Sequence, residues 1–187
     1  MKVAVSERQE DQMDKPVLVA YATKHGGTQE IAERIGEVLR QAGLRADVLP
    51  AGRVDDLASY QAVVLGSGVY IGRWRKGAAR FLRAIEQVLA EQLVWLFSSG
   101  PTGEGDPLEL TDGWRFPGAL QPIADRIQPS DIAVFHGVVD EKKLNMIEKW
   151  AIKNVKAPLG DFREWDAITA WAADIAAELK EAGLATG

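Results

Sequence analysis

Apolar residues along this chain fall into two alternating rhythms. Short unbroken runs, "VLVAYA" (Val17–Ala22), "QAVVLGSG" (Gln61–Gly68) and "LVWLFSSG" (Leu93–Gly100), sit beside Pro or Gly. Runs of that length and punctuation predict strands buried on both faces. "RADVLP" predicts another strand, and "DIAVFHGVV" (Asp131–Val139) predicts the last. Between the runs, apolar positions recur at helical spacing. Ile31, Ile35, Val38 and Leu39 mark one stripe, and Phe81, Leu82, Ile85, Val88 and Leu89 a second. Residues 119–127 carry a weaker one, and Ile168, Trp171, Ala172, Ile175 and Leu179 the last. Gly43 should end the first helix; Asp166 should cap the last, with Gly183 near its end.

Strand–helix alternation predicts an α/β domain: a doubly wound, open, parallel five-stranded sheet in the order 2-1-3-4-5, helices on both faces. Residues 1–15 are polar and read as a flexible extension, leaving 16–187 as a single domain. The least regular stretches are Pro101–Gly118 and Glu141–Trp165. The second contains one more possible amphipathic helix, with Leu144, Ile147, Ala151 and Val155 at mixed spacing. Ligands of such sheets bind beyond the carboxyl ends of the strands, where the strand order reverses. There the first, third and fourth strands run into "ATKHGGT", "GSGVYIG" and "SSGPTGEG".

Composition narrows the chemistry. The 187 residues carry 22 Lys and Arg against 27 Asp and Glu, a net charge of −5. That balance argues against nucleic-acid binding through a basic face. No apolar run reaches the roughly 18 residues of a spanning helix, and the first residues lack a secretory pattern, so a cytoplasmic location is expected. There is no cysteine, and the only imidazoles are His25 and His136. Disulfides, thiol nucleophiles and cysteine-held clusters are excluded, and no metal site is expected. Redox chemistry here would need a bound organic cofactor or a metal held by other ligands.

The first loop, Thr23 to Thr28, joins a strand to a helix N-terminus. Uncommitted backbone N–H groups and the helix dipole attract an anion there. Gly26 and Gly27 allow close approach, Thr23 and Thr28 add hydroxyls, and Lys24 adds charge. Taken alone, the loop reads equally well as a tight turn capped by Thr28. A Gly-Lys-Ser/Thr ending and a G-x-G-x-x-G fingerprint are both missing, as are clustered strand-end aspartates. A phosphate monoester held mostly by neutral donors is the anion left.

"ATKHGGTQEIA" is similar to the flavodoxin FMN-phosphate loop, Ser/Thr-x-x-Gly-x-Thr, matched by Thr23, Gly26 and Thr28. With "GSGVYIG" (Gly66–Gly72) and "GDFREWDAITAWAADIA", it resembles the flavodoxin-domain branch of bacterial menaquinone-dependent protoporphyrinogen oxidases, over roughly Val17 to Leu179. The resemblance implies a flavodoxin-like fold and FMN as cofactor. It places Thr23, Lys24, His25, Gly26, Gly27 and Thr28 around the phosphate. Gly68, Val69, Tyr70, Ile71 and Gly72 would run along one side of the ring system, with Ser99, Gly100, Pro101, Thr102 and Gly103 at the other edge. Tyr70 would stack or touch the ring edge, or be an ordinary half-exposed tyrosine.

It also implies that the flavin carries the chemistry in haem biosynthesis, taking hydride equivalents from a porphyrinogen and passing electrons to a quinone, with no catalytic side chain. Arg73 and Arg75, with Lys76, would receive an acidic substrate or partner, or form a solvated face. Trp74 would wall the pocket or pack beneath it. His136 is expected to be packed rather than catalytic. The segment "VVDEKKLNMIEKWAIKNVKAP" carries lysines and apolar residues suited to peripheral membrane contact, diluted by Asp140, Glu141 and Glu148. Two other readings stand beside this one: a flavodoxin-type one-electron carrier between proteins, and a domain of the same fold without flavin.

Overall fold

A computed structural model describes residues 15–155 and 157–185. Apart from Lys15, the extension expected over residues 1–15 lies outside the described residues. The strands are β1 (Val17–Ala22), β2 (Ala46–Pro50), β3 (Ala62–Tyr70), β4 (Arg73–Trp74), β5 (Leu93–Ser99), β6 (Asp131–Phe135), β7 (Val138–Val139) and β8 (Gly160–Asp161). The helices are α1 (Gly27–Gln41), α2 (Lys76–Leu89), α3 (Gln121–Ile127), α4 (Met146–Val155) and α5 (Trp165–Ala185). Five parallel strands form the sheet in the order β2-β1-β3-β5-β6. Numbered by those five alone, this is the expected 2-1-3-4-5.

Side-chain alternation along the central strands splits the core in two. Val17, Val19 and Tyr21 face the layer of α1 and α5, where Ile31, Ile35 and Leu39 meet Ile168, Ala172 and Ile175. Leu18 and Ala20 face the layer of α2 and α3, with Phe81, Leu82 and Leu89 beside Ile123 and Ile127. Strands covered on both faces cannot alternate apolar with polar residues, which is why the runs were unbroken. α1 ends as expected: Gly43 is left-handed (φ 89°), its N–H donating to the Arg40 carbonyl while Leu44 N–H reaches Leu39.

Four expectations change. "GSGVYIG" is not a free loop: β3 runs on to Tyr70 and turns back into β4, pairing Tyr70 with Arg73 and Val69 with Trp74. Asp131–Val139 is not one strand. It breaks after Phe135, and β7 leaves the sheet to pair with β8. Gly137 marks the break, packed so closely on Gly100 that a Cβ there would lie 3.1 Å from the Gly100 carbonyl oxygen. α5 begins at Trp165, so Asp166 sits in its first turn instead of capping it, and the helix continues past Gly183 to Ala185.

Candidate functional site

The carboxyl tips of β1, β3 and β5 converge on one cleft of about 430 Å³, open to solvent. Thr23, His25, Gly27, Thr28, Gly68, Val69, Tyr70, Ser99 and Gly100 line it, all expected from the three loops. Gly137, Val138 and Val139 close it from the far side and were not foreseen. β7 reaches this position because the chain bends at Gly137; a glycine inside a strand pattern signals such a close approach.

In the first loop, Gly26 takes a left-handed conformation (φ 93°) and precedes α1 with no side-chain cap. Thr23 Oγ1 instead accepts from Gly26 N–H at 3.0 Å, folding the loop on itself. Thr28 is not the cap; it lies inside the first turn, buried, its hydroxyl 3.5 Å from that of Ser99. The chain therefore presents an uncapped helix N-terminus and two facing hydroxyls, all neutral. This donor set fits a phosphate monoester. A Cβ at Gly68 would stand 3.1 Å from Thr28 Oγ1, so the bare glycine keeps the hydroxyl accessible.

Other expected residues lie elsewhere. Lys24 turns away from the cleft to pair with Glu148 of α4, whose Oε1 also meets His25 Nε2 at 3.0 Å. Lys143 Nζ donates to the His25 carbonyl at 3.2 Å, so α4 is strapped to the first loop by polar contacts. The Glu148 carboxyl is pulled down to about 2, chiefly by the Lys24 ammonium, then by the Asn145 N–H and His25. Pro101, Thr102 and Gly103 do not line the cleft, and the Pro101 carbonyl meets His136 Nδ1 at 3.2 Å. His136 is buried and its Nε2 lies 2.8 Å from the Gly105 carbonyl, the packed role expected of it. Gly26 shapes the loop without lining the cleft.

The β3–β4 hairpin forms one lip. Ile71 and Gly72 both have positive φ (51° and 63°), the backbone a two-residue turn of this twist requires. Glycine takes it freely; a β-branched isoleucine is strained there, and Ile71 is 99% exposed. Arg75 stacks over the Tyr70 ring at 5.2 Å. Burial raises the Tyr70 phenol, opposed by Arg75 and reinforced by Glu148. Trp74 faces the other way. It is buried edge-on against Phe116, its indole N–H donating to Ser98 Oγ at 2.8 Å. It packs the core and does not wall the cleft.

One supporting residue was missed altogether. Arg163 donates to the Gly27 carbonyl at 3.2 Å and to Glu30 at 2.7 Å, pairs with Asp161, and stacks on Trp165 at 4.6 Å. Its guanidinium is almost fully buried and pulls the Asp161 carboxyl down. It ties β8 and the start of α5 to the first turn of α1. Nothing in the spacing of "GDFREW" singles it out, because the partners are remote in sequence.

No three metal-ligating side chains cluster among the described residues, and no described helix is long and apolar enough to cross a membrane. The family model for the flavodoxin domain matches residues 18–166. An NAD(P)H dehydrogenase (quinone) of Nitrobacter winogradskyi is 32% identical over 88 residues, covering 35% of this chain and 44% of that protein. A protoporphyrinogen IX dehydrogenase [quinone] of Escherichia coli strain K12 is 28% identical over 68 residues, covering 35% of this chain and 38% of the other. The match thus spans less than half the length of each curated relative. A flavodoxin from the domain Archaea superposes with a TM-score of 0.59 at 14% identity, over 88% of this chain and 99% of that one. With most of its length matched by that model and its strands in the corresponding order, the chain belongs to the flavodoxin domain family.

Proposed function

We propose that the chain is an FMN-dependent oxidoreductase that passes electrons from a small-molecule donor to a quinone. One observation carries the reading: three strand tips meet at an uncapped helix N-terminus bearing neutral hydroxyls, beside an exposed tyrosine lip. Thr23, Thr28 and the first N–H groups of α1 hold the phosphate. Gly26 and Gly27 let it approach, and Gly68 and Gly100 leave backbone open at the ring's polar rim. Val69, Tyr70 and Val138 give the ring apolar cover. A flavin bound there supplies the hydride and electron transfer. Lys24, held by Glu148, stays outside the cleft, and His25, held by the same carboxylate, lines it.

The names of the partial relatives suggest the donor classes: a reduced nicotinamide or a porphyrinogen, each with a quinone acceptor. Exposed Met146, Ile147 and Trp150 on α4, with Lys142, Lys143, Lys149 and Lys153 around them, suit contact with the anionic surface where a lipophilic quinone resides. The test is anaerobic mixing of FMN-loaded protein with protoporphyrinogen or NADH, followed by a menaquinone analogue. Bleaching of the flavin absorbance by one donor and its return on adding quinone is the expected result. No bleaching with either, alongside exchange of electrons with a ferredoxin, would favour the one-electron carrier instead.

A further inference from the structure

A second groove, separate from the cleft, runs between α2 and the turn at residues 117–120, with about 1100 Å³ open to solvent. Arg73, Lys76, Arg80 and Arg83 line it, and all four are exposed. Lys76, Arg80 and Arg83 fall on one face of α2 at spacings of four and three, a row of about 10 Å. Arg73 extends that row to the β3–β4 hairpin. No acid pairs with any of the four among the described residues, and none lines the groove. Glu86, one turn beyond Arg83, is taken by Arg126. Arg83 itself makes only a contact with the Ala79 carbonyl. A molecule of net charge −5 thus keeps four unpaired cations in a single file over an apolar floor of Ala79, Pro117, Ala119 and Leu120.

We propose that this groove docks an acidic segment of a protein partner, its carboxylates on the four cations and its apolar side chains on the floor. The shape and chemistry select this occupant. A small anion would meet only exposed, hydrated cations, which bind single ions weakly. Single-stranded nucleic acid needs aromatic platforms, and the one aromatic here, Trp74, is buried and hydrogen-bonded to Ser98. A flat membrane does not fill a concave face. An extended chain with an acid at every second residue, about 7 Å apart, comes close to the spacing of the row, and steering by unlike charge suits a transient partner. Arg73 pairs with Tyr70 across the hairpin, so the docked segment lies one strand from the cleft lip. The inference goes beyond the flavin reading and does not depend on it.

The probe is a fluorescein-labelled peptide alternating glutamate and alanine around a central leucine, read by anisotropy on the full chain. Binding that weakens steeply with salt, and by about tenfold or more in Arg80→Glu/Arg83→Glu, is expected. Lys180→Glu, an exposed cation on α5, should leave it unchanged. A glutamine version of the peptide should not bind. Equal binding by the double variant, equal loss with Lys180→Glu, or tighter binding of oligothymidylate by the same residues would each overturn the proposal. FMN titration of the same variants separates the two readings: the double variant should bind FMN like the parent, and a parent that ignores FMN yet binds the peptide would sink only the flavin reading.

Discussion

Glu148 shows how one carboxylate can tie an exposed surface helix to the loop after β1. Its folded-state pKa, about 2 against an ordinary 4.5, is depressed, so its contribution to stability is complete above pH 4.5 and lost as pH falls through about 2. Hydrogen-exchange protection across 141–155 should decline in that window. In Glu148→Gln it should be low at neutral pH already. Thr28 makes a different kind of contribution: its hydroxyl faces Ser99 in a buried setting and has no capping duty. Thr28→Val should leave the denaturation midpoint nearly unchanged and weaken FMN binding about tenfold, read by flavin fluorescence quenching. Ile71 is strained in the left-handed region and buries nothing. Ile71→Asn should therefore stabilise the fold by about 1 kcal/mol in a urea titration. If it also slows reduction by substrate, the strain serves the cleft lip.

At the scale of elements, β3 and α4 sit at opposite extremes. β3 is the central strand, and the Phe97 ring lies directly over Gly66, where a Cβ would overlap it. That ring is itself braced by Phe135 and Trp171. Gly66→Ala should cost about 1–3 kcal/mol in chemical denaturation, because the ring has no free direction in which to move. α4 buries almost nothing. Met146 and Ile147 are 88% and 78% exposed, and the helix is held by Glu148, Lys143 and its own Asn145 turn. Ile147→Ser with Trp150→Ser should shift stability by less than about 0.5 kcal/mol. The same pair should reduce binding to vesicles containing phosphatidylglycerol. A large loss of stability would mean that α4 packs as core.

For the whole molecule, the cleft predicts selective stabilisation by the phosphorylated flavin. A ligand at about 100 times its Kd adds about 2.7 kcal/mol to the native state. FMN should raise the thermal midpoint by several degrees, and riboflavin, lacking the phosphate, by much less. Equal shifts would mean that the first loop does not hold the phosphate. The charge layout works at the same scale: four cations gathered on α2 and its neighbouring hairpin, within an acidic molecule, give it a defined electrostatic face.

Local physics made the five parallel strands and the glycine- and threonine-rich tips of three of them legible in the sequence, and the resemblance of those tips to the flavodoxin loops supplied the nine expected cleft residues. Buried strands read as unbroken apolar runs, and strand-to-helix turns advertise themselves by glycine and threonine. The bend at Gly137, the strap from Glu148 to Lys24 and His25, and the Arg163 brace were decided only by tertiary structure, since each joins residues far apart in the chain. Trp74 and Lys24 make the same point from the other side. Their positions in the motif are local, but where their side chains point depends on Ser98 and Phe116, or on Glu148, which only the folded molecule brings near.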